Sequence, residues 1–169
     1  MLRKIIAQIK VSVECIKAQV KLAKGDFDVT LKYLDEIAYY VSDVQVRSTG
    51  GCIALTCKDI FGQPIILVDN LFETLPKNLK KAILYHEIGH QVNGDLEKSD
   101  EELRSEFKKR NKKNYLSPQE VEADKYAYKM TSKEDMIEMF DTLEGIYNNY
   151  GAPTIEIVRR REIIKEMTC

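Results

Sequence analysis

The 169-residue sequence predicts an α+β fold on three observations. The runs that read as strands all precede residue 69, and every periodic stretch after residue 77 has helical spacing. Composition is that of an ordinary globular chain, 44% apolar and 31% charged. A single domain of this length buries a core without disulfide staples. The expected architecture is a short, mostly antiparallel sheet of about three strands, then a helix around His86, then a helical C-terminal half.

Residues 1–24 place apolar side chains at 2, 5, 6, 9, 13, 16 and 20, a helical stripe. Its polar side is basic, with Arg3, Lys4, Lys10, Lys17, Lys21 and Lys24 against Glu14 alone. Such a helix suits an anionic membrane surface or partner, but the absence of a Trp or Phe anchor favours packing against the domain. Gly25-Asp26 ends it. Asp28 or Thr30 then caps a predicted second helix through about Ser42, with Leu31, Leu34, Ile37, Ala38 and Val41 inward. Val44–Arg47 alternates as a short strand, broken by Ser48-Thr49-Gly50-Gly51. Cys52–Cys57 and Pro64–Val68 read as two strands joined through Lys58–Gln63 as a hairpin, and Leu71–Leu75 as a helical turn before Pro76.

Leu79–Tyr85 opens the central helix, and Asn93-Gly94-Asp95 stops it. Residues 95–113 carry six acids and seven bases, the mark of a solvated stretch. Ser117-Pro118-Gln119-Glu120 has three helix-start signals, a capping Ser, Pro at the first position and Glu at the third. That helix runs to about Met130; Ser132 caps another over 133–149, and Pro153 precedes a last amphipathic helix with Arg159-Arg160-Arg161.

A net charge of −1 gives no general electrostatic reason to bind nucleic acid. No stretch approaches the roughly 18 uninterrupted apolar residues of a membrane span. Lys10 and Glu14 interrupt any signal-peptide core. The four cysteines, Cys15, Cys52, Cys57 and Cys169, show neither CxxC spacing nor disulfide density. These features read as a cytoplasmic protein.

The chemistry is concentrated in His86-Glu87-Ile88-Gly89-His90. Positions i and i+4 of a helix share a face, so both imidazoles reach one point, as zinc binding requires. Glu87 stands where a carboxylate takes a proton from a metal-activated water. The sequence holds only two histidines, and random placement yields this spacing with Glu after the first on the order of one time in a thousand. Gly89 costs a helix interior about 0.5–1 kcal/mol, which close packing of another element would offset.

A catalytic zinc wants three protein ligands and an open position, and no third histidine exists. Glu120 is the best candidate, because Asp124 follows one turn later on its face and could fix a histidine tautomer. Glu120 equally fits a capping box with Ser117, and Glu122 is the nearest competitor.

The two-part pattern His86-Glu87-Ile88-Gly89-His90 … Glu120-Val121-Glu122-Ala123-Asp124 resembles the HExxH…ExxAD of the gluzincin metallopeptidases, most of all the HtpX and CAAX-prenyl-protease branch. Cys52-Ile53-Ala54-Leu55-Thr56 stands where that branch has an Asn-Ala-Phe-Ala strand, without its Asn. The resemblance covers roughly residues 30–130 and implies a small zincin-like domain. It implies zinc on His86, His90 and Glu120, Asp124 supporting a metal histidine, Glu87 as general base, and a peptide or protein substrate. Those enzymes are membrane-embedded and this chain has no predicted span, so their membrane substrates do not transfer. The soluble ImmA/IrrE regulatory peptidases are similar too, with Asn where Asp124 stands; they suggest a zinc protein that acts on or binds a partner such as a repressor. Ile53, Ala54 and Leu55 are expected to pair with an extended substrate by β-addition. Tyr128 and Arg159–Arg161 are candidate donors to the reaction's oxyanion.

Overall fold

The computed structural model describes residues 29–42, 53–59, 61–99, 101–102, 105–106, 109, 115–149, 151 and 154–168. The predicted N-terminal helix, the Val44–Arg47 strand, Cys15, Cys52 and Cys169 lie outside them. The chain divides into two compact units at Pro76/Lys77. No helix among the described residues is long and apolar enough to cross a membrane.

The first unit carries a four-stranded sheet, in the α+β class expected but with one strand more than predicted. Its strands are β1 (Val29–Leu34), β2 (Ile37–Ser42), β3 (Ala54–Lys58) and β4 (Pro64–Val68), in the order β1-β2-β4-β3. β1–β2 and β3–β4 are antiparallel, while β2 and β4 run parallel.

The helix predicted over Asp28–Ser42 is instead the β1–β2 hairpin. Leu31, Leu34, Ala38 and Val41 match a 3.6 period, but the stretch also holds Val29, Thr30, Tyr33, Ile37, Tyr39 and Tyr40. Such β-branched and aromatic residues fit a pleated sheet better than a helix. The burial follows period 2: Tyr39 and Val41 are buried, while Leu31, Tyr33 and Ala38 are exposed. Leu34 pairs with Ile37 across a two-residue turn in which Asp35 takes φ 53°, a left-handed conformation that Asp tolerates.

The β3–β4 hairpin forms as predicted. The Asp59 carboxylate accepts the N–H groups of Phe61 and Gln63, both at 2.8 Å, and Gly62 supplies φ 79°. Helix α1 (Asn70–Glu73) is capped by Asp69, whose side chain accepts from the Phe72 N–H. It docks on β2 through a T-shaped Tyr39–Phe72 contact at 5.3 Å. Glu73 accepts from the Tyr39 hydroxyl at 3.0 Å and pairs with Lys32.

The second unit is helical, with α2 (Lys77–Val92), α3 (Pro118–Met130), α4 (Lys133–Asn149) and α5 (Ile155–Glu166). Gly94 at φ 74° ends α2 and turns the chain into a short 3₁₀ segment, Asp95–Glu97. Ser132 accepts the Asp135 N–H at 3.0 Å as the cap predicted for α4. Helix α2 packs on α3 and α4, and α5 packs on α3 and α4. Their buried apolar residues include Ala82, Leu84, Ala123, Ala127, Met136, Phe140 and Ile164.

The α2–α3 contact explains Gly89. A Cβ there would lie 2.8 Å from the Ala123 Cα and 2.9 Å from its carbonyl oxygen. Backbone cannot give way as a side chain does, so the two helices touch where no methyl fits. Gly89→Ala should therefore destabilise the fold by about 1–3 kcal/mol, overriding its helix-propensity gain of up to about 1 kcal/mol. Urea midpoints of the two proteins check this; an unchanged or raised midpoint would show that the helices part freely.

Candidate metal centre

His86 and His90 leave the same face of α2, as i and i+4 residues must. Their Nε2 atoms approach to 3.2 Å, with the rings nearly perpendicular. Glu120, from the first turn of α3, completes the cluster. Its Oε2 lies 3.4 Å from His86 Nε2, and its Oε1 lies 3.9 Å from His90 Nε2. Among the described residues, these three form the group of side chains able to hold one metal ion.

Each ring is held from behind by a carboxylate. Asp124, one turn after Glu120, lies 2.8 Å from His86 Nδ1, and Asp95 lies 2.8 Å from His90 Nδ1. A carboxylate at that distance draws the ring proton to Nδ1 and leaves the Nε2 lone pair facing the centre. Both carboxylates hold their charge. Burial works against ionisation of Asp124, but Arg160 and then His86 outweigh it and keep its pKa below the usual range. For Asp95, burial is likewise outweighed by Lys98, 2.5 Å away, and by His90.

Arg160 on α5 closes the cluster. Its Nε and Nη2 donate to the two oxygens of Asp124 at 2.6 and 2.7 Å, and its Nη1 donates to Glu120 Oε2 at 2.8 Å. The guanidinium is buried, which alone would weaken its charge; Asp124 and Glu120 reverse that and raise its pKa. Its carbon stands 5.4 Å from the centre of the buried Phe140 ring.

These distances fit a tetrahedral ion. Zinc with bonds of about 2.0–2.1 Å holds neighbouring ligand atoms about 3.3–3.4 Å apart. The 3.2 Å between the two nitrogens and the 3.4 Å from His86 to Glu120 Oε2 are close to that, while His90 meets the other oxygen, Oε1, at 3.9 Å, so the carboxylate must rotate to set one oxygen against both rings. Two nitrogen lone pairs facing each other and a carboxylate make a pocket that attracts a cation. The same field acts on a proton. Burial works to lower the His86 pKa, but Asp124 and then Glu120 outweigh it and push it up to about 10.

The capping alternative for Glu120 is not what forms. Ser117 makes no side-chain cap bond to α3; its hydroxyl donates to Glu106, and its N–H donates to Glu156 at 3.2 Å. Glu120 turns instead to Arg160 and the imidazoles. Glu122 faces outward, its side chain 56% exposed and paired with Lys125. Glu87 is buried on α2, beside His86 in sequence.

Of the three arginines, Arg160 is at the cluster, Arg159 is exposed, and Arg161 pairs with Asp141 and Glu144. Tyr128 is half-buried on α3. Ile53 is buried and its carbonyl accepts the Asp69 N–H at 3.1 Å; Ala54 and Leu55 open β3, an edge of the described sheet.

Sequence reasoning missed Asp95 and the particular role of Arg160. Asp95 had a signal, since each metal histidine needs a second partner and Gly94 returns the chain towards His90. Compared with protein-family models, with curated proteins and with solved structures, the chain matches none, so the two motifs and this geometry carry the functional reading.

Proposed function

We propose that this chain is a zinc-dependent peptidase that hydrolyses peptide bonds, with His86, His90 and Glu120 as metal ligands and Glu87 as general base. The observation that carries the reading is the pair of Nε2 atoms 3.2 Å apart, each ring held at Nδ1 by its own carboxylate, with Glu120 across from both. A structural zinc site takes four protein ligands, whereas three with one position left open is the catalytic pattern. A zinc ion there would supply an acidified water and a Lewis acid towards the scissile carbonyl.

The rest of the chemistry belongs to side chains. Glu87 accepts the proton that the attacking water loses and passes it to the leaving amine. Asp124 and Asp95 keep both imidazoles in the Nδ1–H tautomer, so neither ring reorients during turnover.

Elemental analysis of purified protein tests the centre. The wild type and Glu122→Ala are expected to carry one zinc per chain, and Glu120→Ala to lose it. Equal zinc in all three, or none in the wild type, would remove Glu120 as ligand and the hydrolytic assignment with it.

A further inference from the structure

Arg160 has a place in the cluster that neither motif assigns. Its planar guanidinium reaches two carboxylates of α3 at once, taking both oxygens of Asp124 and one oxygen of Glu120. Lysine offers a point charge and could not span both groups in one plane. The Phe140 ring behind it and the burial of Asp124 leave the fork little freedom.

We propose that Arg160 is a positioning residue that makes Glu120 a one-oxygen metal ligand. Glu120 presents both oxygens towards the imidazoles, at 3.4 and 3.9 Å. An unrestrained carboxylate in that position is free to chelate through both. Chelation would fill the position that a reacting water needs. Arg160 Nη1 holds Oε2, the oxygen nearer His86, and so restrains the rotation that would bring both oxygens onto one ion. Through the same side chain, Asp124 is fixed in the plane that accepts the His86 Nδ1–H. One cation from α5 thereby sets the orientation of two of the three ligands and the number of atoms they offer.

The inference rests on the metal-centre reading, and cobalt(II) separates the two. Wild type, Arg160→Lys and Arg161→Lys are titrated with cobalt(II), following the visible d–d absorption, the affinity by chelator competition, and the fold by circular dichroism. Arg161 is the control, because its partners Asp141 and Glu144 lie outside the cluster. Wild type and Arg161→Lys should give the intense bands of four-coordinate cobalt. Arg160→Lys should fold, give the weaker bands of five-coordinate cobalt, and bind about 10–100-fold less tightly. Wild-type bands and affinity in Arg160→Lys overturn the proposal, as does the same change in Arg161→Lys. A wild type that binds no cobalt or zinc overturns the metal centre itself. Should Arg160→Lys not fold, a zinc-loaded crystal structure of the wild type decides the matter: one Glu120 oxygen on the ion and the other on Arg160 upholds the proposal, and two oxygens on the ion overturn it.

Discussion

Glu87→Gln should lower peptide hydrolysis by about 10²–10⁴-fold, the range by which a positioned general base contributes, while zinc content and fold stay as in the wild type. Glutamine keeps the size and polarity of the buried side chain but cannot hold the transferred proton. The three proposed ligands and both supporting carboxylates are untouched. The measurement is turnover of an unfolded polypeptide by zinc-loaded protein, beside metal analysis and a thermal melt of each variant. Full activity in Glu87→Gln would strike out the proposed base. A protein that binds a regulatory partner equally well with Glu or Gln, and cleaves nothing in either form, would belong to the second reading, a zinc module that works by association.

The second large effect is a stability that falls with pH in the metal-free protein and stays level in the zinc-bound one. Folding raises the His86 pKa from 6.5 to about 10, because the Asp124 and Glu120 carboxylates outweigh the cost of burial. A raised pKa means that the folded protein holds its proton more tightly than the unfolded chain. The resulting stabilisation is complete below pH 6.5 and disappears as pH rises through about 10. Metal-free protein should therefore melt at progressively lower temperature across that window. The depressed pKa of Asp124 describes the same ion pair from its acidic side, so the two contributions are not summed. With zinc the slope levels off: the ion must displace the His86 proton, so each pH unit adds about 1.4 kcal/mol to binding within the window and offsets the equal loss in the metal-free fold. Thermal melts in chelator and in excess zinc between pH 6 and 10 read both arms. A flat or rising melting temperature in chelator would mean that His86 carries no extra proton in the fold.

How much of this was legible in the sequence depends on the range of the contact. His86 with His90, and Glu120 with Asp124, are i, i+4 pairs, so helical geometry places them before any packing is known. The starts of α3 and α4 were legible in local signals, Pro118 at the first position of one and the Ser132 cap of the other. The β1–β2 hairpin was not. Its apolar residues satisfy a period of 3.6 and a period of 2 together, and the decision fell to the turn at Asp35-Glu36, which lacks the glycine that usually marks one. Arg160 was visible only as the middle of a basic run. What separates it from Arg159 and Arg161 is the direction of one side chain on α5, fixed by how that helix sits against α3.

The carboxylates behind the two imidazoles bear on how the protein would acquire the proposed ion. In a zinc finger the ligands assemble only when metal arrives, so uptake and folding are one event. Here Asp95, Asp124 and Arg160 tie the donors to the scaffold without any contribution from the ion itself. The vacant scaffold should persist at neutral pH, and loading becomes a simple exchange of a proton for a metal ion. As the zinc peptidase proposed above, the chain would be made and stored inactive and switched on by the supply of zinc alone.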